Sequence, residues 1–268
     1  MTLSVTPSSA KIVETIARKA GNLALSHFHK LGTLPVEAKG HLDLVTVADQ
    51  QIEAFITQAL IAAFPDDGVF GEEGASRQGD SGRIWVVDPI DGTFNFVRGG
   101  DQWAVSIGLY DRDRPVFGVI HVPVRKQTLV GGDGFPSTLN GKLLKQRKGM
   151  KMEQAACCVG FHPAIPIDLR LDTLRFVLED AQMSFRTCGS ATLSLIEVAQ
   201  GQVDGYIGTG DSTWDLMAGL PILEQVGIGC TINWAQTDLN DKLRFSCGTA
   251  EFLEAVATLV PDGTTFAL

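Results

Sequence analysis

The stretch from Ile84 to Val130 restricts the possible folds more than any other part of the chain. Ile84-Trp85-Val86-Val87-Asp88 is a short apolar run that ends on a carboxylate. Beyond it, Trp103, Val105, Ile107 and Leu109 alternate with polar or small residues, the period of two expected of a strand with one buried face. Val116 to Val122 and Thr128 to Val130 continue the pattern, with Asp111-Arg112-Asp113-Arg114-Pro115 as the connecting turn. Consecutive strands joined by short turns predict an antiparallel sheet.

Helical spacing precedes this sheet. Ile12, Ile16, Ala20 and Leu23 mark one helix between Ser9 and His29. Ile52, Phe55, Ile56, Ala59, Leu60 and Ala63 mark a second, amphipathic one, ended by Pro65-Asp66-Asp67-Gly68. After the sheet the rhythm changes. The pattern predicts helices over Leu169–Ala181, Ser190–Ala199, Trp214–Val226 and Ala250–Leu259, with strands at Val203–Ile207 and Leu243–Cys247. Such alternation is that of an α/β unit. No repeat, low-complexity tract or disordered linker separates the two parts. The 268 residues therefore read as a single domain with an N-terminal α+β half, about 1–135, and a C-terminal α/β half, about 136–268.

Composition narrows the function. A net charge of −9, with one short basic stretch at Lys142, Lys145, Arg147, Lys148 and Lys151, argues against nucleic acid as the main partner. No run approaches the roughly 18 apolar residues of a membrane span. Met1 to Lys19 lacks the pattern of a signal peptide, so a cytoplasmic protein is expected. The five cysteines are odd in number and form no Cys-x-x-Cys pair, which speaks against a disulfide framework or a zinc site. They read as buried free thiols, with a reactive Cys188 ahead of Gly189 as the alternative.

Five acids lie at the ends of predicted elements: Asp49, Glu72, Asp88, Asp91 and Asp215. In Asp88-Pro89-Ile90-Asp91-Gly92-Thr93 the apolar strand delivers Asp88 and a tight turn delivers Asp91. Two carboxylates so spaced can share one cation cluster, and the N–H groups of Gly92 and Thr93 can receive a phosphate. Each acid also has a plainer reading. Asp-Gly is a common turn, Glu72-Glu73 between glycines can be a solvated loop, and Asp49 and Asp215 can stabilise helix N-termini.

Together the blocks resemble the inositol monophosphatase family, within the lithium-sensitive, magnesium-dependent phosphatases. Asp43-Leu-Val-Thr-x-x-Asp49, Gly71-Glu72-Glu73, Asp88-Pro-Ile-Asp-Gly-Thr-x-Asn-Phe96, and Trp214-Asp215 followed by Ala218-Gly219 occur in order. Gly189-Ser190-Ala191 with Asp204 is a weaker fifth block, and the resemblance spans about Lys39 to Leu259. It implies a layered α/β/α/β/α sandwich, usually a homodimer, acting on a small phosphate monoester. Two to three Mg²⁺ ions are implied: one held by Glu72, Asp88 and the carbonyl of Ile90, another by Asp88, Asp91 and Asp215, and a weaker third by Glu72 and waters. Thr93, partnered by Asp49, would orient the water that attacks phosphorus in line from the first metal, with Glu72 beside it. Gly92 and Thr93 would contact the phosphate, and Gly189, Ser190 and Ala191 the substrate.

The chain also departs from the family pattern. Where members that cleave inositol phosphate carry a glutamate, seven residues before Asp215, this sequence has Gly208. A glycine there is expected to leave space, favouring a bulkier or less hydroxylated leaving group, with histidinol phosphate first and sugar phosphates next. Asp211 is the nearby alternative acceptor. Phe94-Asn95 stands where the nucleotidase branch has Lys-Glu. The five histidines (His27, His29, His41, His121, His162) fall outside the matched blocks and are expected to be structural or on the surface. Some bacterial relatives act as binding factors in transcription complexes, which is the reading from another class.

Overall fold

The computed structural model describes residues 5–33, 36–40, 43–149, 151–260 and 264–266. In chain order the N-terminal elements are α1 (Pro7–Phe28), β1 (Val36–Gly40), β2 (Asp43–Thr46), α2 (Val47–Ala63), β3 (Gly68–Gly71), β4 (Ser76–Arg77), β5 (Ile84–Asp91), α3 (Thr93–Val97), β6 (Ala104–Asp111), β7 (Arg114–Val122), β8 (Gln127–Gly132), β9 (Phe135–Leu139) and β10 (Lys142–Leu143). The C-terminal elements are β11 (Ala156–Phe161), α4 (Ile167–Arg175), β12 (Ser184–Arg186), α5 (Ala191–Gln200), β13 (Gly205–Ser212), α6 (Thr213–Leu216), α7 (Gly219–Glu224), β14 (Gly229–Cys230), β15 (Lys242–Gly248), α8 (Ala250–Val256) and β16 (Thr264–Phe266).

Two sheets organise the molecule. The first has the order β10-β9-β8-β7-β6-β5-β3-β4, antiparallel apart from the β3–β5 pair. The second has the order β12-β11-β13-β15-β14, parallel among its first three strands and antiparallel beyond. The alternating residues of β6 and β7 meet α1 and α2 through one apolar cluster, in which Ile52, Ile56, Trp85, Trp103 and Phe117 are buried. A second cluster fills the space between the sheets around α5 and α7, with Leu193, Ile196, Leu220 and Phe245. A third lies under α8 and the turn after α4, with Val177, Ile207 and Phe252. The result is five layers: α1 and α2, the first sheet, α5 to α7, the second sheet, then α4 and α8.

Several predicted boundaries shift. The strand expected to end at Asp88 runs on to Asp91, but its pairing slips, from Asp88 opposite Ser106 to Asp91 opposite Ala104. Pro89 has no N–H for the ladder, so the strand bulges there. The helix expected over Trp214–Val226 is two, α6 and α7, broken at Met217–Ala218 where Gly108 and Gly118 of the first sheet approach the backbone closely. Leu169–Ala181 starts earlier, at Ile167, and widens into a π-helical turn at Phe176–Asp180. The turn between β6 and β7 is confined to Arg112 and Asp113, both at positive φ. Four cysteines are buried as expected, whereas Cys230 is exposed on the edge strand β14. His41 and Leu42 lie outside the described residues. No helix among the described residues is long and apolar enough to cross a membrane.

Candidate metal and phosphate centre

The bulge in β5 puts Asp88 and Asp91 on the same side of the sheet edge. Gly92 follows at φ +92, a conformation open to glycine, and a Cβ there would stand 2.6 Å from the carbonyl oxygen of Gln102. The chain then turns into α3. Across the layer, β13 leads into α6, which presents Asp215. The carboxylates of Asp88, Asp91 and Asp215 place oxygen atoms within 4.8 Å of one another. They lie in a cavity of about 340 Å³ also bordered by Glu72, Ile90, Gly92, Thr93, Gly189, Ser190 and Ala191.

Asp91, Asp215 and Asp49 are each aimed by hydrogen bonds. Oδ2 of Asp91 accepts the Ser190 hydroxyl at 2.6 Å and the Thr192 N–H at 2.6 Å. Asp215 accepts the N–H of Ser212 at 2.7 Å, closing a capping box on α6. Asp49 takes the N–H and hydroxyl of Thr46 on one oxygen, while its other oxygen accepts the Thr93 hydroxyl at 3.2 Å. The N-cap reading of Thr46–Asp49 and the role of Asp49 beside Thr93 therefore coexist in one side chain. Thr93 Oγ1 also lies 3.0 Å from the carbonyl of Ile90.

Burial pushes the Asp88 carboxyl well above the usual range, and the charges of Glu72, Asp91 and Asp215 push it the same way. Asp215 is raised by burial and then by Asp91, Asp211 and Glu72, with Lys242 opposing. Asp91 is raised by burial against the bonds from Ser190 and Thr192. Oδ1 of Asp88 is buried and takes no hydrogen bond among the described residues. A buried, unpaired oxygen among mutually repelling carboxylates is costly unless a cation joins them. An all-oxygen donor set is what Mg²⁺ prefers, so these residues fit the implied metal.

Four side chains at the site carry roles that sequence reasoning did not assign. Glu53 of α2 is buried and accepts the N–H groups of Glu73 at 2.8 Å and Ala75 at 2.8 Å, which clamps the turn carrying Glu72. Its spacing of one helical turn from Asp49 was the available signal. Asn95 donates to the carbonyls of Gln102, Cys188 and Gly189, tying the Asp-Gly-Thr segment to the Gly189 loop. Tyr206 donates to Oδ2 of Asp211 at 2.7 Å, and both border the cavity. His162, expected to be structural or on the surface, is half-buried and borders it too. Asp204 is absent from the cavity lining and accepts the N–H of Ala156 at 3.0 Å.

The expectation for Gly208 is overturned. It leaves no space: a Cβ there would run into Oδ2 of Asp211 and the ring of Phe245. The bulge at Thr209–Asp211 swings Asp211 into the place that the glycine appeared to vacate.

Comparison with known proteins agrees with this architecture. The model of the inositol monophosphatase family matches residues 8–262. A Nus factor SuhB of Xylella fastidiosa is 34% identical over 224 residues, covering 82% of this chain and 80% of that protein. A fructose-1,6-bisphosphatase/inositol-1-monophosphatase of Thermotoga maritima is 32% identical, with coverage of 79% and 80%. Among solved structures, the extragenic suppressor protein SuhB of Bartonella henselae superposes with a TM-score of 0.85 at 27% identity, covering 93% of this chain and 97% of that one. The chain belongs to the inositol monophosphatase family, whose members act on phosphate monoesters and are generally magnesium-dependent.

Proposed function

We propose that this protein is a magnesium-dependent phosphomonoesterase acting on a small phosphorylated metabolite in the cytoplasm. The observation that carries the reading is the convergence of Asp88, Asp91 and Asp215 on one cavity, with the Asp88 oxygen left unpaired. Two to three Mg²⁺ ions would be held by Glu72, Asp88, Asp91, Asp215 and the carbonyl of Ile90, and would supply charge neutralisation and Lewis acidity at the phosphoryl group. The chain's own part is positioning. Asp49 accepts the Thr93 hydroxyl proton, which leaves the Thr93 oxygen to accept a hydrogen bond from the attacking water and orient its lone pair toward phosphorus. Glu72 stands on the same side as the second acceptor. Ser190, Ala191 and Thr192 keep Asp91 from swinging away, since Asp91 accepts N–H groups from the last two and the hydroxyl of Ser190. Gly92, Thr93 and Gly189 frame the phosphate.

The leaving group faces Asp211, Tyr206 and His162. Asp211 keeps a second carboxylate oxygen, so it favours a leaving group with a hydroxyl or ammonium donor near the ester. Inositol phosphates, sugar phosphates and histidinol phosphate all meet that condition. A site that pairs a substrate donor rejects analogues lacking it. The test is phosphate release over a panel of these monoesters with Mg²⁺ and with EDTA. Turnover that survives EDTA overturns the assignment; lithium inhibition is expected alongside.

A second reading rests on the names of several relatives, among them the Xylella fastidiosa Nus factor SuhB. In that reading the protein binds a transcription complex and catalysis is secondary. Lys142, Lys145 and Lys148 are exposed around the exposed Leu143, and would form the contact. Co-purification with RNA polymerase that is lost when these lysines become glutamate would favour it. A homodimer is also part of the proposal. The exposed apolar side chains Ile167, Leu171, Leu178 and Phe185 are of the kind that subunit contact covers, and light scattering measures the state directly.

A further inference from the structure

One other group of donor atoms converges behind the cavity. Cys158 on β11, Cys188 just ahead of Gly189, and Glu197 on α5 bring two sulfurs and a carboxylate oxygen within 4.8 Å of one another. All three residues are buried. The Cys158 thiol donates to Oε2 of Glu197 at 3.5 Å, and the Cys188 sulfur lies within 4.8 Å of both.

Two fates are open to this cluster, a metal site and a disulfide. Tetrahedral zinc holds thiolate sulfur at about 2.3 Å and carboxylate oxygen at about 2.0 Å, so two such ligands stand roughly 3.5 Å apart. The Cys158–Glu197 separation is already that edge. A disulfide would draw the sulfurs to about 2.05 Å and leave the carboxylate without a role. Charge balances as well. Two thiolates and one carboxylate sum to −3, a divalent ion supplies +2, and Arg186, whose Nη1 is 3.1 Å from Oε2 of Glu197, supplies the remaining charge. The interaction with Cys158 holds the Cys188 thiol below its usual range and, with burial, pushes the Cys158 thiol well above it, so the cation itself must displace the Cys158 proton. Ser194 faces the Cys188 sulfur and also borders the cavity.

We propose that Cys158, Cys188 and Glu197 form a site for one thiophilic divalent cation of the zinc type, separate from the carboxylate centre. Its occupation fixes the loop on which that centre leans. The Cys188 and Gly189 carbonyls hold Asn95, and Ser190 holds Asp91. The site stands independently of the phosphatase reading, because two of its three donors are soft thiolates and the centre has none.

Cobalt(II) titrated into the full-length, reduced protein tests it. The expected result is a thiolate-to-metal charge-transfer absorption saturating at one equivalent per chain and erased by one equivalent of Zn²⁺. It persists in Asp91→Asn, which disturbs the carboxylate centre, and disappears in Cys158→Ser. Glu197→Gln keeps both thiols and weakens Co²⁺ binding by about tenfold or more, as loss of a ligand charge does. Should Cys158→Ser fail to fold, Glu197→Gln carries the test. The proposal is overturned if excess Co²⁺ gives no charge-transfer band, or if the band is unchanged in both variants. It is equally overturned if peroxide joins Cys158 to Cys188 while Co²⁺ gives no band, which would make the pair a redox couple.

Discussion

The two walls of the cavity are built by different means. On the N-terminal wall the backbone is shaped mostly by local devices: a bulge at Pro89 for Asp88 and Asp91, a capping box for Asp49, and a left-handed Gly92 for the start of α3, with Ser190 and Thr192 reaching across to aim Asp91. On the C-terminal wall, Asp211 and Tyr206 both come from the bulged strand β13, and His162 comes from the loop after its neighbour β11, so His162 joins them only once the second sheet has formed. The segments that carry Asp49, Asp88 and Asp91 are thus shaped locally, whereas Asp215 and His162 reach the cavity only through packing. Conservative changes on the first wall should remove chemistry whatever the substrate. Those on the second should redistribute activity among substrates.

The largest expected effect is on the carboxylates themselves. Asp91→Asn and Asp215→Asn should each lower kcat by about a hundredfold or more, through loss of a metal ligand's charge. Circular dichroism should show the fold intact. Near wild-type rates for Asp91→Asn at ordinary Mg²⁺ would mean that the centre lies elsewhere.

Glu53→Gln sharpens the comparison, because Glu53 holds the turn of Glu72 through the backbone N–H groups of Glu73 and Ala75. Hydrogen bonds to a charged group stabilise by about 1.5–3 kcal/mol each, and the amide loses that charge and one acceptor. The Mg²⁺ concentration for half-activity should rise by about tenfold, with kcat at saturating Mg²⁺ little changed. A fall in kcat that added Mg²⁺ does not rescue would place Glu53 in the chemistry rather than behind it.

Asp211→Asn probes the other wall. It should lower kcat/KM about tenfold more for a monoester with a hydroxyl or ammonium donor than for a phenyl phosphate lacking one. Equal losses on both would remove Asp211 from substrate choice. The residue also has a pH signature. Burial raises its carboxyl from 3.8 to about 7, against the Tyr206 bond. Between those values the folded state binds more protons than the unfolded one, so stability falls as pH rises. In metal-free protein, the wild-type Tm relative to that of Asp211→Asn should therefore decline from about pH 4 to about pH 7. A difference that is flat with pH would show that burial does not hold the proton there.

The smallest effect is expected at Asp204, whose carboxylate accepts one backbone N–H from Ala156 outside the cavity. Asp204→Asn should change kcat less than about twofold, with a stability loss of about 1 kcal/mol. A hundredfold loss of rate would join the two walls through β11 and break the division between them.

The sequence by itself determined the antiparallel middle, the two N-terminal helices and the ordered acidic blocks. The reason is that strand alternation, helix spacing, capping boxes and turn glycines all act within a few residues. The five layers came from the resemblance those blocks carry, and the two sheets bear them out. Sequence also singled out Asp88, Asp91, Asp215, Glu72 and Asp49, since each sits where an element ends, and the fold brings Asp88, Asp91 and Asp215 together with Glu72 at the same cavity. It did not determine Glu53, whose two backbone partners lie 20 and 22 residues away, nor the break between α6 and α7, which the glycines of the first sheet impose from outside. Gly208 is the sharpest case. Read alone, a missing side chain means empty space. In the folded protein Phe245 from β15 and Asp211 from beyond a bulge already occupy it, because close packing fills a gap with whatever the neighbouring strands bring, and the neighbours are chosen by the sheet order rather than by the chain.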